Sequence, residues 1–160
     1  MFRIECLDAK EGDCLILHFG REDRRRFALI DSGSRGTYNQ VLKKRLLDLK
    51  KSVSPDEPLH FELGMVSHID QDHIKGFLDF FDRQEKGQSP EVDMMEFRRF
   101  WHNSYSAIMA NIPDALLASL NAPPNSDGRW ALMTASFEQG DALSAHLLRL
   151  GIGTNSPHNG

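Results

Sequence analysis

Met65-Val-Ser-His68-Ile-Asp70-Gln-Asp72-His73-Ile-Lys-Gly76 sets four side chains able to ligate a metal within six residues. Leu59 to Ser67, just before them, reads as a buried strand. Just after them, Ile74, Phe77, Leu78 and Phe81 recur at i, i+3, i+4 and i+7, the spacing of a helix packed on a sheet. The four therefore stand where a strand hands over to a helix, and ligand sites of α/β folds favour the carboxyl ends of strands. His68 and Asp70 are two apart, so in extended chain their side chains leave on one side and can meet one ion. Asp72 and His73 lie in the tight turn into the helix and can address a second ion nearby. Imidazole and carboxylate suit zinc, and carboxylate also admits manganese or iron. The bland alternative is an aspartate-rich helix N-cap beside solvated histidines.

Outward from this stretch, the chain alternates strands and helices. Phe2 to Leu7 and Cys14 to Phe19 read as strands around the Glu11-Gly12-Asp13 turn, in which Asp13 is a turn residue. Gly20 and the charged Arg21 to Arg26 read as the next turn, and Phe27 to Ile30 as a short buried strand ending at Asp31-Ser-Gly33. From Tyr38 to Lys51, Val41, Leu42, Leu46 and Leu49 recur at helical spacing. Downstream, Val92 to Trp101 reads as a strand and Ser104 to Leu120 as a helix disturbed by Pro113. Asn121 to Gly128 reads as a loop, and the final helix is expected around Asp141 to Leu150. The class is α/β, and residues 1–160 read as a single domain.

Bulk properties bound the function loosely. At 160 residues the chain can bury about two-thirds of its unfolded surface. Its net charge of −4 gives no global attraction to nucleic acid, so a polyanion would need a local patch or metal ions to hold it. The basic turn at Gly20 to Arg26 is usually just a solvated loop, though it could meet a phosphate backbone. Charges at Arg3, Glu5 and Asp8 argue against a signal peptide. No apolar run approaches the roughly 20 residues needed to span a bilayer. With only Cys6 and Cys14, and no export signal, reduced thiols and a cytoplasmic location are expected, with no membrane partner.

His68-x-Asp70-x-Asp72-His73 resembles the hallmark of the metallo-β-lactamase fold superfamily, His-x-His-x-Asp-His after a strand, with aspartate in the second histidine place. The likeness extends upstream. Gly12-Asp13-Cys14-Leu-Ile-Leu followed by Ala28-Leu-Ile-Asp31-Ser-Gly33 is similar to the opening hairpin and strand of the competence-protein hydrolase domain. The match covers residues 1 to 85, and beyond that the likeness is weak.

The resemblance implies an αββα sandwich of two similar halves, of which residues 1–160 would supply the N-terminal one. It implies two metal ions, usually zinc, that activate a bridging water for attack on a carbonyl or phosphorus centre. Carried over by position, His68 and Asp70 would hold the first ion, and Asp72 and His73 the second. Asp31 would support that loop from behind, and Asp72 would serve as base. A carboxylate at position 70 is a harder ligand than imidazole and admits manganese or iron as alternatives to zinc.

Relatives draw further ligands from the second half, often in a His-His-Gly-Ser string, and none occurs here. A continuing or partner chain is therefore expected to complete the site. The activity implied is a metal-dependent hydrolase, most readily a phosphodiesterase or nuclease acting on nucleic acid, with lactone, thioester or β-lactam hydrolysis left open. Members with this kind of motif occur in bacterial conflict systems, so a role in antiviral defence with a partner protease that switches the enzyme on by cleavage is a further expectation. The competing class is a non-catalytic scaffold or binding subunit. His102 and Asn103, after Trp101, are candidates for substrate contact, against a bland reading as helix cap and core edge. His146 reads as structural, and His158 is a weak ligand candidate in the terminal loop.

Overall fold

The computed structural model describes residues 1–53, 55–88, 95–103 and 129–155, with side chains from residue 136 onward in the last of these. The expected helix at 104–120, the loop at 121–128, the first residues of the strand expected from Val92, and His158 lie outside the described residues.

Three strands open the chain as an antiparallel meander: β1 (Arg3–Cys6), β2 (Leu15–Arg21) and β3 (Arg24–Ile30). The turn between β2 and β3 is only Glu22-Asp23, much tighter than the basic loop expected at Arg21 to Arg26. Arg24 to Arg26 are exposed, so their charges stay solvated while the backbone pairs.

After β3 a π-helical turn, Tyr38–Leu42, runs into α1 (Lys43–Val53). The chain returns through β4 (Leu59–Phe61) and β5 (Leu63–Met65), with β5 parallel to β3. Helix α2 (Gln71–Glu85) leads to β6 (Met95–Phe97) and β7 (Arg99–Trp101), with β7 parallel to β5. Helix α3 (Arg129–Arg149) leads to β8 (Gly153–Thr154), parallel to β7. The main sheet thus runs β1-β2-β3-β5-β7-β8, and β4 pairs with β6 in a two-stranded parallel sheet. Each expected long strand divides because it changes partner mid-course: Glu62 N donates to Phe27 O and Arg98 N to Phe61 O. Among the described residues the architecture is α/β, with a mostly parallel sheet and three α-helices.

Helix α3 begins twelve residues before the start expected at Asp141. Gly140 looks like a stop in the sequence, but a Cβ there would sit 3.3 Å from Ile69 Cγ2, so the glycine marks close packing inside the helix.

Successive parallel crossovers step the same way across the sheet, and right-handed connections then put their helices on one face. Burial agrees. Ile16 pairs with Leu29 and His18 with Phe27, and all four are buried on the helix side. Phe77 of α2 meets Phe100 of β7 edge-on at 4.8 Å, and Leu143 and Leu147 of α3 are fully buried. Each fully buried phenylalanine contributes about 1.5–3 kcal/mol relative to exposure. His146 bonds Glu85 at 2.8 Å alongside Arg149, fastening α3 to α2.

The opposite face is apolar and only partly covered. By register it carries Ile4, Leu17, Ile30, Leu63, Met65 and Trp101. Ile4 is 55% and Trp101 47% exposed, and the other four are half-buried.

Candidate metal centre

The carboxyl ends of β3 and β5 lie side by side and bring two sequence motifs together. Asp31, directly after β3, takes a left-handed backbone (φ +53°), a conformation that Asp and Asn tolerate better than most residues. Its N–H donates to Met65 O at the end of β5 (2.8 Å). Ser32 then laces the loop to the start of α2. Its N–H (2.8 Å) and Oγ (2.9 Å) both donate to His73 O, and its Oγ accepts from Phe77 N–H (2.8 Å). The approach is so close that a Cβ on Gly76 would overlap Ser32 O. From the other side, Gly12 (φ +74°) lies against the backbone of Asp72, where a side chain would overlap the Asp72 carbonyl.

Hydrogen bonding fixes the proton positions. The Asp31 carboxylate accepts three bonds: Ser67 N–H on Oδ1 (2.7 Å), and Ser67 Oγ–H (2.6 Å) and His73 Nδ1–H (2.9 Å) on Oδ2. Asp31 and His73 are both buried. Because the single hydroxyl proton of Ser67 goes to Asp31, the contact between Ser67 Oγ and His68 Nδ1 (3.0 Å) needs His68 to donate. Both imidazoles are therefore protonated on Nδ1, and both Nε2 lone pairs are left for a cation.

Each Nε2 faces a carboxylate. His68 Nε2 is 3.6 Å from Asp70 Oδ2, and His73 Nε2 is 3.4 Å from Asp72 Oδ2. The two rings lie side by side, with centroids 3.7 Å apart. At 3.4–3.6 Å a lone pair opposite a carboxylate is not a hydrogen bond and is repulsive unless a proton or metal stands between. Two donors held 2.0–2.1 Å from one tetrahedral ion stand roughly 3.3 Å apart, so both spacings suit a shared cation. The N-cap alternative lacks its bond: Asp70 occupies the cap position of α2, yet its side chain makes no capping hydrogen bond. Its Oδ1 instead accepts a long contact from Ser136 Oγ (3.4 Å).

A second grouping overlaps the first. Asp13, Asp31 and His73 offer ligand atoms all within 4.8 Å of one another, a tighter mutual set than the four residues of the loop. Asp31 is already engaged by three donors, so the hydrogen bonds assign it the task of orienting His73. Asp13 is exposed, while its carbonyl accepts from Gly33 N–H (2.9 Å), which fixes it beside the cluster. The sequence reads Asp13 as a turn residue and gives no role to Ser67, which sets the His68 tautomer. The Gly12-Asp13 turn ahead of β2 was the available signal for the first. For Ser67 the sequence carries none, since its role rests on a contact with a residue 36 positions away.

The remaining candidates fall elsewhere. His102 is buried, with Nε2 2.8 Å from Ser144 Oγ and its backbone gripped by the Asn155 side chain. Burial holds its pKa below the ordinary histidine value. Its Nδ1 has no partner among the described residues. Asn103 is exposed. The arginine-rich β2–β3 turn sits at the opposite end of β3 from Asp31, roughly 20 Å away along seven residues of strand. Gly140-Asp141, a Gly-Asp pair downstream of the motif, lies inside α3 and not at a strand end. No helix among the described residues is long and apolar enough to cross a membrane. Compared with protein-family models, curated proteins and solved structures, the chain matches none.

Proposed function

We propose that the chain is the metal-binding part of a metallo-β-lactamase-type hydrolase acting on phosphodiesters. The observation that carries this is the arrangement of two imidazoles, each protonated on Nδ1 through Asp31 and Ser67, with both Nε2 atoms turned toward the Asp70 and Asp72 carboxylates. His68 and Asp70 would hold one ion, and Asp72 and His73 a second, with Asp13 beside them. Bound there, a divalent ion would lower the pKa of a coordinated water toward about 7 and polarise a substrate oxygen.

The chain's own groups supply the rest. Asp31 holds the His73 ring and its tautomer, a task whose loss in comparable sites weakens metal affinity by about 10–100-fold. Ser67 does the same for His68. Asp72, whose side chain is 42% exposed, is open to solvent and would accept a proton from attacking water. The carboxylates also make the donor set harder than a histidine-rich one, which admits manganese or iron beside zinc.

The finer architecture, one half of an αββα sandwich, is supported by the partly exposed apolar face of the sheet. Exposed contiguous apolar surface of this kind marks an interaction site, and a second sheet from a continuing or partner chain would cover it.

The test is metal uptake together with turnover of a generic phosphodiester, for the protein and for His68→Ala. Stoichiometric uptake and turnover that both depend on His68 are expected. Less than about one-tenth equivalent of any metal, with no His68-dependent turnover, would favour the non-catalytic scaffold instead.

A further inference from the structure

Beside the cluster opens a cavity of about 540 Å³, lined by Glu11, Ser34, Arg35, Asp70, Asp72 and Ser136. Three of these are carboxylates and one is a cation. Arg35 nevertheless makes no ion pair or hydrogen bond among the described residues; it acts at longer range on the Asp79 carboxylate of α2.

The isolation of Arg35 is built in by its loop. Residues 33–37 are pinned at both ends: Gly33 N–H donates to Asp13 O (2.9 Å), Thr37 N–H to Ser34 O (3.1 Å), and Thr37 Oγ1 to Ala9 O (3.2 Å). Gly33 (φ +73°) and Gly36 (φ +90°) supply the left-handed turns on either side of Arg35. A guanidinium on a pinned loop beside the cavity and without a partner keeps its five donors for a ligand. Once cations occupy Asp70 and Asp72, Arg35 and Glu11 are the charged side chains left in the described lining, and Arg35 is the one of the two that attracts an anion. The ligand that satisfies it is an anion with planar, forked acceptors, a description that fits a phosphoryl group better than a neutral ester.

We propose that Arg35, with the hydroxyl of Ser34, forms an anion-holding subsite that receives the non-bridging oxygens of a phosphoryl group beside the His68–His73 cluster. This rests on the metal-centre reading above. Arg35 would be the residue that selects phosphodiesters over uncharged esters, lactones and thioesters.

The experiment titrates the zinc-loaded protein with inorganic phosphate by calorimetry, for wild type, Arg35→Gln and Arg35→Lys, after a zinc titration of each. Arg35 is an exposed loop residue, so zinc affinity and thermal stability should be unchanged in both variants. Phosphate affinity should fall about 10–100-fold in Arg35→Gln. It should recover only in part in Arg35→Lys, which keeps the charge and loses the fork. In turnover, Arg35→Gln should raise KM for bis(p-nitrophenyl) phosphate and leave that for p-nitrophenyl acetate unchanged. Equal phosphate affinity in wild type and Arg35→Gln, no phosphate binding by zinc-loaded wild type, or an equal KM rise for both esters would overturn the proposal. A protein that takes up no zinc would overturn the metal-centre reading itself, and the zinc titration separates that failure from the others.

Discussion

Replacing Asp31 by asparagine isolates the part of the site that the hydrogen bonds define most sharply. Asparagine tolerates the left-handed backbone at this position as aspartate does, so the change tests bonding and not strain. The carboxylate accepts three bonds, two on Oδ2 and one on Oδ1. An amide offers one acceptor oxygen, which leaves two arrangements. With the oxygen toward Ser67 Oγ and His73 Nδ1, the amide N–H group meets the Ser67 N–H, donor against donor. With the oxygen toward the Ser67 N–H, the amide nitrogen faces His73 Nδ1 and drives the ring to its other tautomer, which occupies the Nε2 lone pair. The first arrangement costs about 1–3 kcal/mol of stability through an unpaired buried donor. The second spares that donor and instead lowers metal affinity about 10–100-fold. Chemical denaturation and zinc calorimetry on the same preparations measure both. A variant that keeps wild-type stability and wild-type zinc affinity would refute the account of Asp31.

Three further outcomes follow from the same structure. Gly76→Ala should destabilise by about 1–3 kcal/mol despite the better helix propensity of alanine, because the new Cβ forces α2 away from Ser32; an unchanged urea midpoint would contradict the packing described. Acid should weaken the fold in two stages. Burial keeps His18 below its ordinary 6.5, while the Arg45 guanidinium bonded to Glu5 holds that carboxyl below the usual carboxylate range. Both groups bind fewer protons folded than unfolded, so stability falls as pH drops through 6.5 and again through the carboxylate range. Glu5→Gln should shrink the second stage, and urea midpoints that stay level from pH 8 to pH 4 would rule this out. Finally, burial pushes the Cys14 thiol up to about 12, so iodoacetamide at pH 8 should label the exposed Cys6 and spare Cys14 until the protein unfolds; equal labelling by mass spectrometry would refute it.

What the sequence revealed and what it hid have physical causes. The loop at His68 to His73 was legible because residue type and position coincide: ligands gather where a buried apolar run gives way to a helical one. Asp31 was legible only through the resemblance, since by position alone it reads as a turn aspartate before Gly33. The strand-helix alternation gave the α/β class. What stayed hidden depends on contacts distant in sequence. The roles of Ser67 and Asp13 exist only once β3 and β5 lie together. The break at Glu62 reflects a change of partner strand, and Gly140 looks like a helix stop until its approach to Ile69 is seen. The partly exposed sheet face was readable only in part, since the alternation of Phe2, Ile4 and Cys6 shows a face without showing what lies against it.

The most direct measurement is an anomalous difference map at the zinc edge, from crystals of the protein grown with zinc. The account predicts density within about 2.0–2.2 Å of His73 Nε2 and a carboxylate oxygen of Asp72, with a second peak or a shared ligand at His68 Nε2 and Asp70. Histidine rings turned so that Nδ1 faces the cavity, or zinc bound only at sites away from residues 68 to 73, would contradict it.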